Sequence, residues 1–297
     1  MAKNFAGVVA DTRTRAHAAL EKLRAQYEGG SNIDDASIEA LVTARAGAGV
    51  VIRKRGDVDA GLRSGDLIEA AYRTPLAAHA HLEPLAALVS VTADKVEAWL
   101  PTQALNLEVN ALKPLAGGRE IVVHPMQMGG SFGRKAAQSA GLEAARLSEA
   151  AGKPVHVGWT RAEEMRHSFF RPPSHTLLRA TLNSDGRIAA LEQSVASGDI
   201  LFGVIKIPVA DDAIKNLVGF DFGLLSGLFT PYAVAHYRVH SQRVALPVPT
   251  GAWRGLGLMP NTFALESFMD ELAAIAQTDP LRVFASNTFP IPRTASA

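Results

Sequence analysis

A chain of 297 residues, 47% apolar and 20% charged, is long enough and apolar enough to bury a sizeable core. Its net charge of +1 gives no electrostatic case for nucleic acid or an acidic partner, and no basic stripe interleaves with aromatics. The absence of cysteine excludes disulfides, thiolate metal ligands and an iron–sulfur cluster held by this chain, and no apolar run approaches the ~20 residues a membrane helix needs. Met1 to Ala10 has one lysine and a short, weak apolar stretch rather than an export signal. A cytoplasmic location is therefore expected, unless a leader has been lost with the N-terminus.

Periodicity and turn residues predict a mixed α+β chain. Asp11 to Tyr27 reads as a helix with Ala16, Ala19, Leu20 and Leu23 on one face, ended by Gly29-Gly30-Ser31-Asn32. Asp35 to Arg45 reads as a short helix capped at Asp34 or Asp35. A boundary is expected near Gly56 to Gly65, dividing residues 1–60, the tail of a preceding small α/β domain, from 61–297. Asp66 to Tyr72 is a predicted strand, and Ala87 to Leu100 a hairpin turning near Ala93-Asp94. Thr102 to Leu112 is a predicted helix, and Glu120 to His124 a short buried strand. His175 to Leu182 and Arg187 to Ser197 form a predicted hairpin across Asn183-Ser184-Asp185-Gly186. Leu201 to Phe229 is apolar and Gly-rich without a clear period, Asp211-Asp212 reads as a solvated loop, and His236 to Leu246 is a predicted strand.

Two glycine-flanked loops carry the chemistry. Met128-Gly129-Gly130-Ser131-Phe132-Gly133-Arg134-Lys135 precedes a helix-like run from Ala136 to Ala151. Glycines there admit positive φ and close approach, and a helix N-terminus would aim N–H groups at an oxyanion, phosphate or oxo ligand. Gly251-Ala252-Trp253-Arg254-Gly255-Leu256-Gly257 precedes a second helix-like run, Asn261 to Ala276. The Arg254 guanidinium can offer a planar fork of donors to an oxygen-rich group.

These loops, with Tyr72-Arg73-Thr74-Pro75 through His79-Ala80-His81-Leu82-Glu83-Pro84, Trp99-Leu100-Pro101-Thr102-Gln103 and Trp159-Thr160-Arg161-Ala162-Glu163-Glu164, carry a resemblance. So placed, the chain resembles the molybdenum-binding large subunit of the xanthine dehydrogenase and aldehyde oxidase family. The match is closest to the isoquinoline 1-oxidoreductase β-subunit and membrane-associated aldehyde dehydrogenase branch. Glu266-Ser267-Phe268-Met269-Asp270-Glu271-Leu272-Ala273 and Asp279-Pro280-Leu281 continue it.

The resemblance implies part of a molybdopterin-binding domain, with residues 61–297 its first half. It implies hydroxylation of an N-heterocycle or aldehyde carbon, with water as the oxygen source. Gln103 takes the place of a glutamine that hydrogen-bonds a molybdenum oxo group. Gly130, Phe132 and Gly133 take the place of residues against the pterin and the apical oxygen, and Arg254 that of the second pterin-side loop. Ala136 stands where purine oxidases carry a glutamate, which argues against a purine substrate. The family's catalytic glutamate lies downstream of the matched region. A C-terminal partner polypeptide and an iron–sulfur subunit are therefore expected, and a fragment, a split subunit and a remnant with a new role all stay open.

Two other constellations remain open. Ser131 and Lys135 are four apart, as an amide or lactam hydrolase with a serine nucleophile, a lysine base and no cofactor would need. His79, His81 and Glu83 alternate, so a strand would turn all three to one side as zinc or manganese ligands.

Overall fold

The computed structural model describes residues 6–26, 28, 32–136, 140–205 and 211–287. In chain order they form α1 (Arg13–Lys22), α2 (Asp35–Leu41), β1 (Val50–Arg55), α3 (Val58–Leu62), β2 (Ile68–Thr74), β3 (Ala86–Val91), β4 (Lys95–Pro101), α4 (Leu105–Ala116) and β5 (Glu120–Met126). Then come α5 (Ala140–Ala151), β6 (Val155–Gly158), α6 (Arg161–His167), β7 (Ser174–Leu182), β8 (Ile188–Ser197), α7 (Leu201–Val204), α8 (Asp211–Val218), β9 (His236–Arg243), α9 (Leu258–Ile275) and α10 (Pro280–Asn287). Turns of 3-10 helix lie at Arg134–Ala136 and Phe222–Leu225. The class is α+β, and the elements divide into two compact units, Met1–Ile33 with Ala78–Phe169 and Asp34–Ala77 with Phe170–Ala297.

The first unit is built on a four-stranded sheet of order β5-β4-β3-β6. The hairpin β3–β4 closes where Thr92 N–H donates to the Lys95 carbonyl at 2.9 Å, at the turn the sequence predicts. β5 runs parallel to β4 after the α4 crossover. Leu112 and Ala116 of α4 and Ala140, Ala144 and Ala145 of α5 pack with Val89, Val96, Ala98 and Leu100 of the sheet. β5 is an edge strand, so its residues are half-buried to exposed rather than buried as expected. α4 begins three residues later than predicted because the Gln103 N–H is drawn to the Lys135 carbonyl at 3.0 Å.

The second unit holds a five-stranded sheet of order β1-β9-β8-β7-β2, antiparallel except for the β8–β9 pair. One face packs on α9, whose Ala264, Leu265, Phe268 and Leu272 recur at helical spacing and bury against Leu178, Leu191, Val195 and Val239. The β7–β8 hairpin follows the predicted turn, with Asn183 N–H donating to the Arg187 carbonyl at 2.8 Å. Asp34 caps α2 in a capping box with Ser37. Elements that no periodicity marked are β1, α3, β6, α6, α7 and α10. Asp211 begins α8 rather than standing in a loop. Among the described residues no helix is long and apolar enough to cross a membrane.

Candidate cofactor-binding site

In the first unit the loop after β5 is fastened to the segment ahead of β3. Glu83 N–H donates to the Gly129 carbonyl at 3.0 Å, and Gly129 N–H donates to Glu83 Oε2 at 2.9 Å. A Cβ on Gly129 would stand 2.7 Å from Glu83 Cβ, so only glycine permits this approach. The chain then turns left-handed, with φ of +92° at Gly130, +57° at Phe132 and +112° at Gly133. A phenylalanine held at positive φ carries strain on the order of 1 kcal/mol or more, of the kind that clusters at ligand sites. Phe132 is 41% exposed.

The left-handed turn overturns two expectations. No helix starts at Ser131, and the glycines feed one 3-10 turn at Arg134–Ala136 rather than the first turn of α5; residues 137–139 lie outside the described residues. Ser131 and Lys135 therefore do not meet through their side chains. Ser131 Oγ accepts the Lys135 backbone N–H at 2.7 Å and donates to Gln103 Oε1. The fully buried Lys135 Nζ instead pairs with Glu83 Oε2. Burial would raise the Glu83 carboxyl, but the hydrogen bonds from Lys135 and Gly129 N–H hold it below its ordinary range.

Gln103, just past β4, receives a second donor: Gly133 N–H reaches its Oε1 at 3.0 Å. A backbone N–H can only donate, so the atom facing it is the amide oxygen and Nε2 faces outward. Gln103 is exposed, and Nε2 has no partner among the described residues. This amide offers two donors to an external acceptor.

Beneath the loop lies a buried ionic layer. Arg134 Nε donates to Glu164 Oε1 at 2.9 Å, and its guanidinium sits 5.4 Å from the Trp159 ring and 5.0 Å from the Phe169 ring. Glu164 lies on α6, oriented by the Thr160–Glu163 capping box, and its Oε2 accepts Leu85 N–H at 3.0 Å. His81 Nε2 is 3.8 Å from the same oxygen. Burial pushes the His81 imidazole down to about 4, against the upward pull of Glu164. Ala80 has φ of +48°, so residues 79–83 do not form the alternating strand a metal site would need. His79 packs edge-on against Phe169, with centroids 5.0 Å apart. No group of three metal-ligating side chains is assembled among the described residues. No sequence signal pairs Arg134 with Glu164, although Thr160-x-x-Glu163 is a legible cap that fixes which way Glu164 points.

Arg254 belongs to the second unit. Its loop is anchored by Gly251 N–H to the Phe170 carbonyl at 2.9 Å and Gly257 N–H to the Gly223 carbonyl at 3.0 Å. Arg171, buried, lies over the Trp253 ring at 4.6 Å and donates to the Pro75 carbonyl at 2.8 Å. Arg254 itself is exposed and pairs with no described residue. Within the first unit, outward donors on Gln103 beside an exposed strained aromatic suit an oxygen-rich group; within the second, the exposed Arg254 guanidinium offers donors to an anionic oxygen.

An α+β chain whose two units each carry a glycine-punctuated loop, one presenting an amide and an aromatic and the other a guanidinium, is of the class that binds an oxygen-rich cofactor. Residues 44–288 match the family model of the molybdopterin cofactor-binding domain, and the chain belongs to that family. It is 29% identical over 289 residues to a nicotinate dehydrogenase component of Pseudomonas putida, covering 94% of this chain and 24% of that protein. It is 30% identical over 224 residues to the beta component of isoquinoline 1-oxidoreductase from Brevundimonas diminuta, covering 73% of this chain and 28% of that one. Among solved structures, quinoline 2-oxidoreductase from Pseudomonas putida 86 matches with a TM-score of 0.74 at 22% identity, over 95% of this chain and 37% of that one. Aldehyde oxidoreductase from Desulfovibrio gigas matches with a TM-score of 0.73 at 22% identity, over 97% and 32%. These structural matches establish the shared fold. The chain thus spans about a quarter of the length of the two curated relatives.

Proposed function

We propose that this chain contributes one part of the cofactor site of a molybdenum hydroxylase large subunit, completed by further polypeptide. The observation that carries this is the Gln103 amide, held with its oxygen inward and both Nε2 donors outward beside Phe132 and Gly133. Molybdopterin, when bound, supplies the metal centre at which oxidative hydroxylation occurs with water as the oxygen source. In the first unit Gln103 would donate to an oxygen of that group and Phe132 with Gly130–Gly133 would bound it; in the second unit Arg254 would offer its guanidinium to an anionic oxygen. The names of the relatives, nicotinate and isoquinoline enzymes among them, support an N-heterocycle or aldehyde as substrate. An iron–sulfur partner subunit and a cytoplasmic location belong to the same reading, as does the division into a 1–60 tail and a 61–297 partial cofactor domain.

No observation favours the hydrolase reading, since Ser131 Oγ is engaged by Gln103 and Lys135 N–H, and Lys135 Nζ by Glu83. The test is metal analysis and turnover of N-heterocycles, aldehydes and cyclic amides, with the chain alone and co-expressed with the C-terminal portion of a related large subunit. Molybdenum and hydroxylation should appear only on co-expression, and both should fall at least tenfold in Arg254→Ala. Turnover of a cyclic amide by the molybdenum-free chain, abolished in Ser131→Ala, would sink the proposal.

A further inference from the structure

We infer that Ser131 is a positioning residue that locks the side-chain amide of Gln103 in one orientation before any ligand arrives. Every atom of the Ser131 hydroxyl has an assigned direction. Its oxygen accepts the Lys135 backbone N–H at 2.7 Å, and its own proton points to Gln103 Oε1. The side chain is buried, so water does not compete for that proton. With Gly133 N–H at 3.0 Å, both lone pairs of Oε1 are filled.

A flipped amide would set an NH₂ group against the Gly133 N–H and would take away the oxygen to which the Ser131 hydroxyl donates. Donor would face donor at Gly133, and the proton of the buried Ser131 hydroxyl would be left without its acceptor, a cost for a buried polar group. The main chain of Gln103 is held by the same loop, through its N–H to the Lys135 carbonyl at 3.0 Å. Thr102 Oγ1 donates to that carbonyl as well, at 3.3 Å. Residues 131–135 thus grip Gln103 at both ends, and the Ser131 hydroxyl is the bridge between its side chain and the loop.

The outcome is a pair of N–H donors facing outward with the ordering entropy already spent before binding. The site therefore selects a ligand atom that only accepts, an oxo or oxyanion oxygen, and rejects a hydroxyl or amine that must donate. This deepens the proposed function and rests on it for the identity of that oxygen. The ordering itself is a property of the chain without cofactor.

The experiment is side-chain ¹⁵N relaxation on the full chain, labelled at glutamine and free of cofactor. The Gln103 Nε2 order parameter is expected near that of rigid backbone, about 0.85, and to drop below about 0.6 in Ser131→Ala. Ser131→Thr, which keeps the hydroxyl, should restore it. The backbone resonances of β4 and α5 should stay in place in all three proteins. Without any variant, the Ser131 hydroxyl proton should appear as a slowly exchanging resonance with a cross-peak to the Lys135 or Gly133 amide proton. A mobile Gln103 amide in the unaltered chain, a missing hydroxyl resonance, or a Ser131→Ala amide as rigid as before would each overturn the inference. None of these outcomes bears on whether co-expressed chain gains molybdenum, so the two readings fail separately.

Discussion

Arg134 donates to Glu164 at 2.9 Å with both residues about 1% exposed, directly behind the left-handed turn that carries Phe132. The pair is held between two aromatic rings and a backbone N–H, so neither charge can turn to water if the other is removed. Breaking such a buried pair from one side costs about 3–5 kcal/mol, whereas replacing both members with apolar groups is often close to neutral. Glu164→Ala should therefore lower the stability measured by denaturant unfolding by about that amount. Arg134→Met with Glu164→Leu should recover most of it. Equal losses in the single and double variants would contradict the account.

His81 predicts a pH dependence. Its folded value, about 4, lies below the ordinary 6.5, so the unfolded chain binds more protons between those values. Stability contributed by the neutral ring is complete above pH 6.5 and is lost as pH falls toward 4, with a slope of at most ~1.4 kcal/mol per pH unit. Burial also depresses His175 and His240, which add to the slope with the same sign. The check is the difference between the chain and His81→Phe between pH 6.5 and 5. The variant should lose less stability over that window, and parallel curves would refute the assignment.

Glu83 serves both Lys135 Nζ and the Gly129 N–H. Glu83→Ala leaves a buried ammonium and a backbone donor without their acceptor, which should cost on the order of 2–3 kcal/mol. Hydrogen exchange at the Gly129 amide should accelerate by tenfold or more. Glu83→Gln, which keeps an acceptor and drops the charge, should fall between.

Gly203 has no room for a side chain. A Cβ there would stand 1.8 Å from the Thr250 carbonyl oxygen and 3.0 Å from Gly251 Cα, all backbone and unable to step aside. Gly203→Ala should cost about 1–3 kcal/mol or more and displace the loop that carries Arg254. At Gly158 the nearest atoms, at 3.4 and 3.7 Å, belong to side chains, so Gly158→Ala is the tolerant control in thermal unfolding.

Local chemistry made part of this fold legible. The Asn183–Gly186 turn, the Asp34 cap and the apolar spacing of α9 each write their structure within a few residues. β1 escaped because it is an exposed edge strand, with only Ile52 half-buried, and so shows no alternation. α7 and the Phe222–Leu225 turn escaped because one carboxylate organises them. Asp221 accepts the N–H groups of Ile200, Leu201, Phe202 and Gly223 at 2.7–3.1 Å, a clamp no periodicity announces.

The sequence by itself determined the candidate residues: in the first unit the glycines that permit positive φ, the phenylalanine between them and the glutamine after β4, and in the second unit the arginine of its own glycine-flanked loop. Only the tertiary structure decided who partners whom. The spacing of Ser131 and Lys135 suggested a helical pair, but the left-handed turn at Phe132 and Gly133 breaks any helix there. Lys135 is thereby given to Glu83, 52 positions away, and Ser131 to Gln103, 28 positions away. Hydrogen bonds between residues so far apart depend on how strands and loops are brought together, and nothing within a local window of sequence encodes that distance.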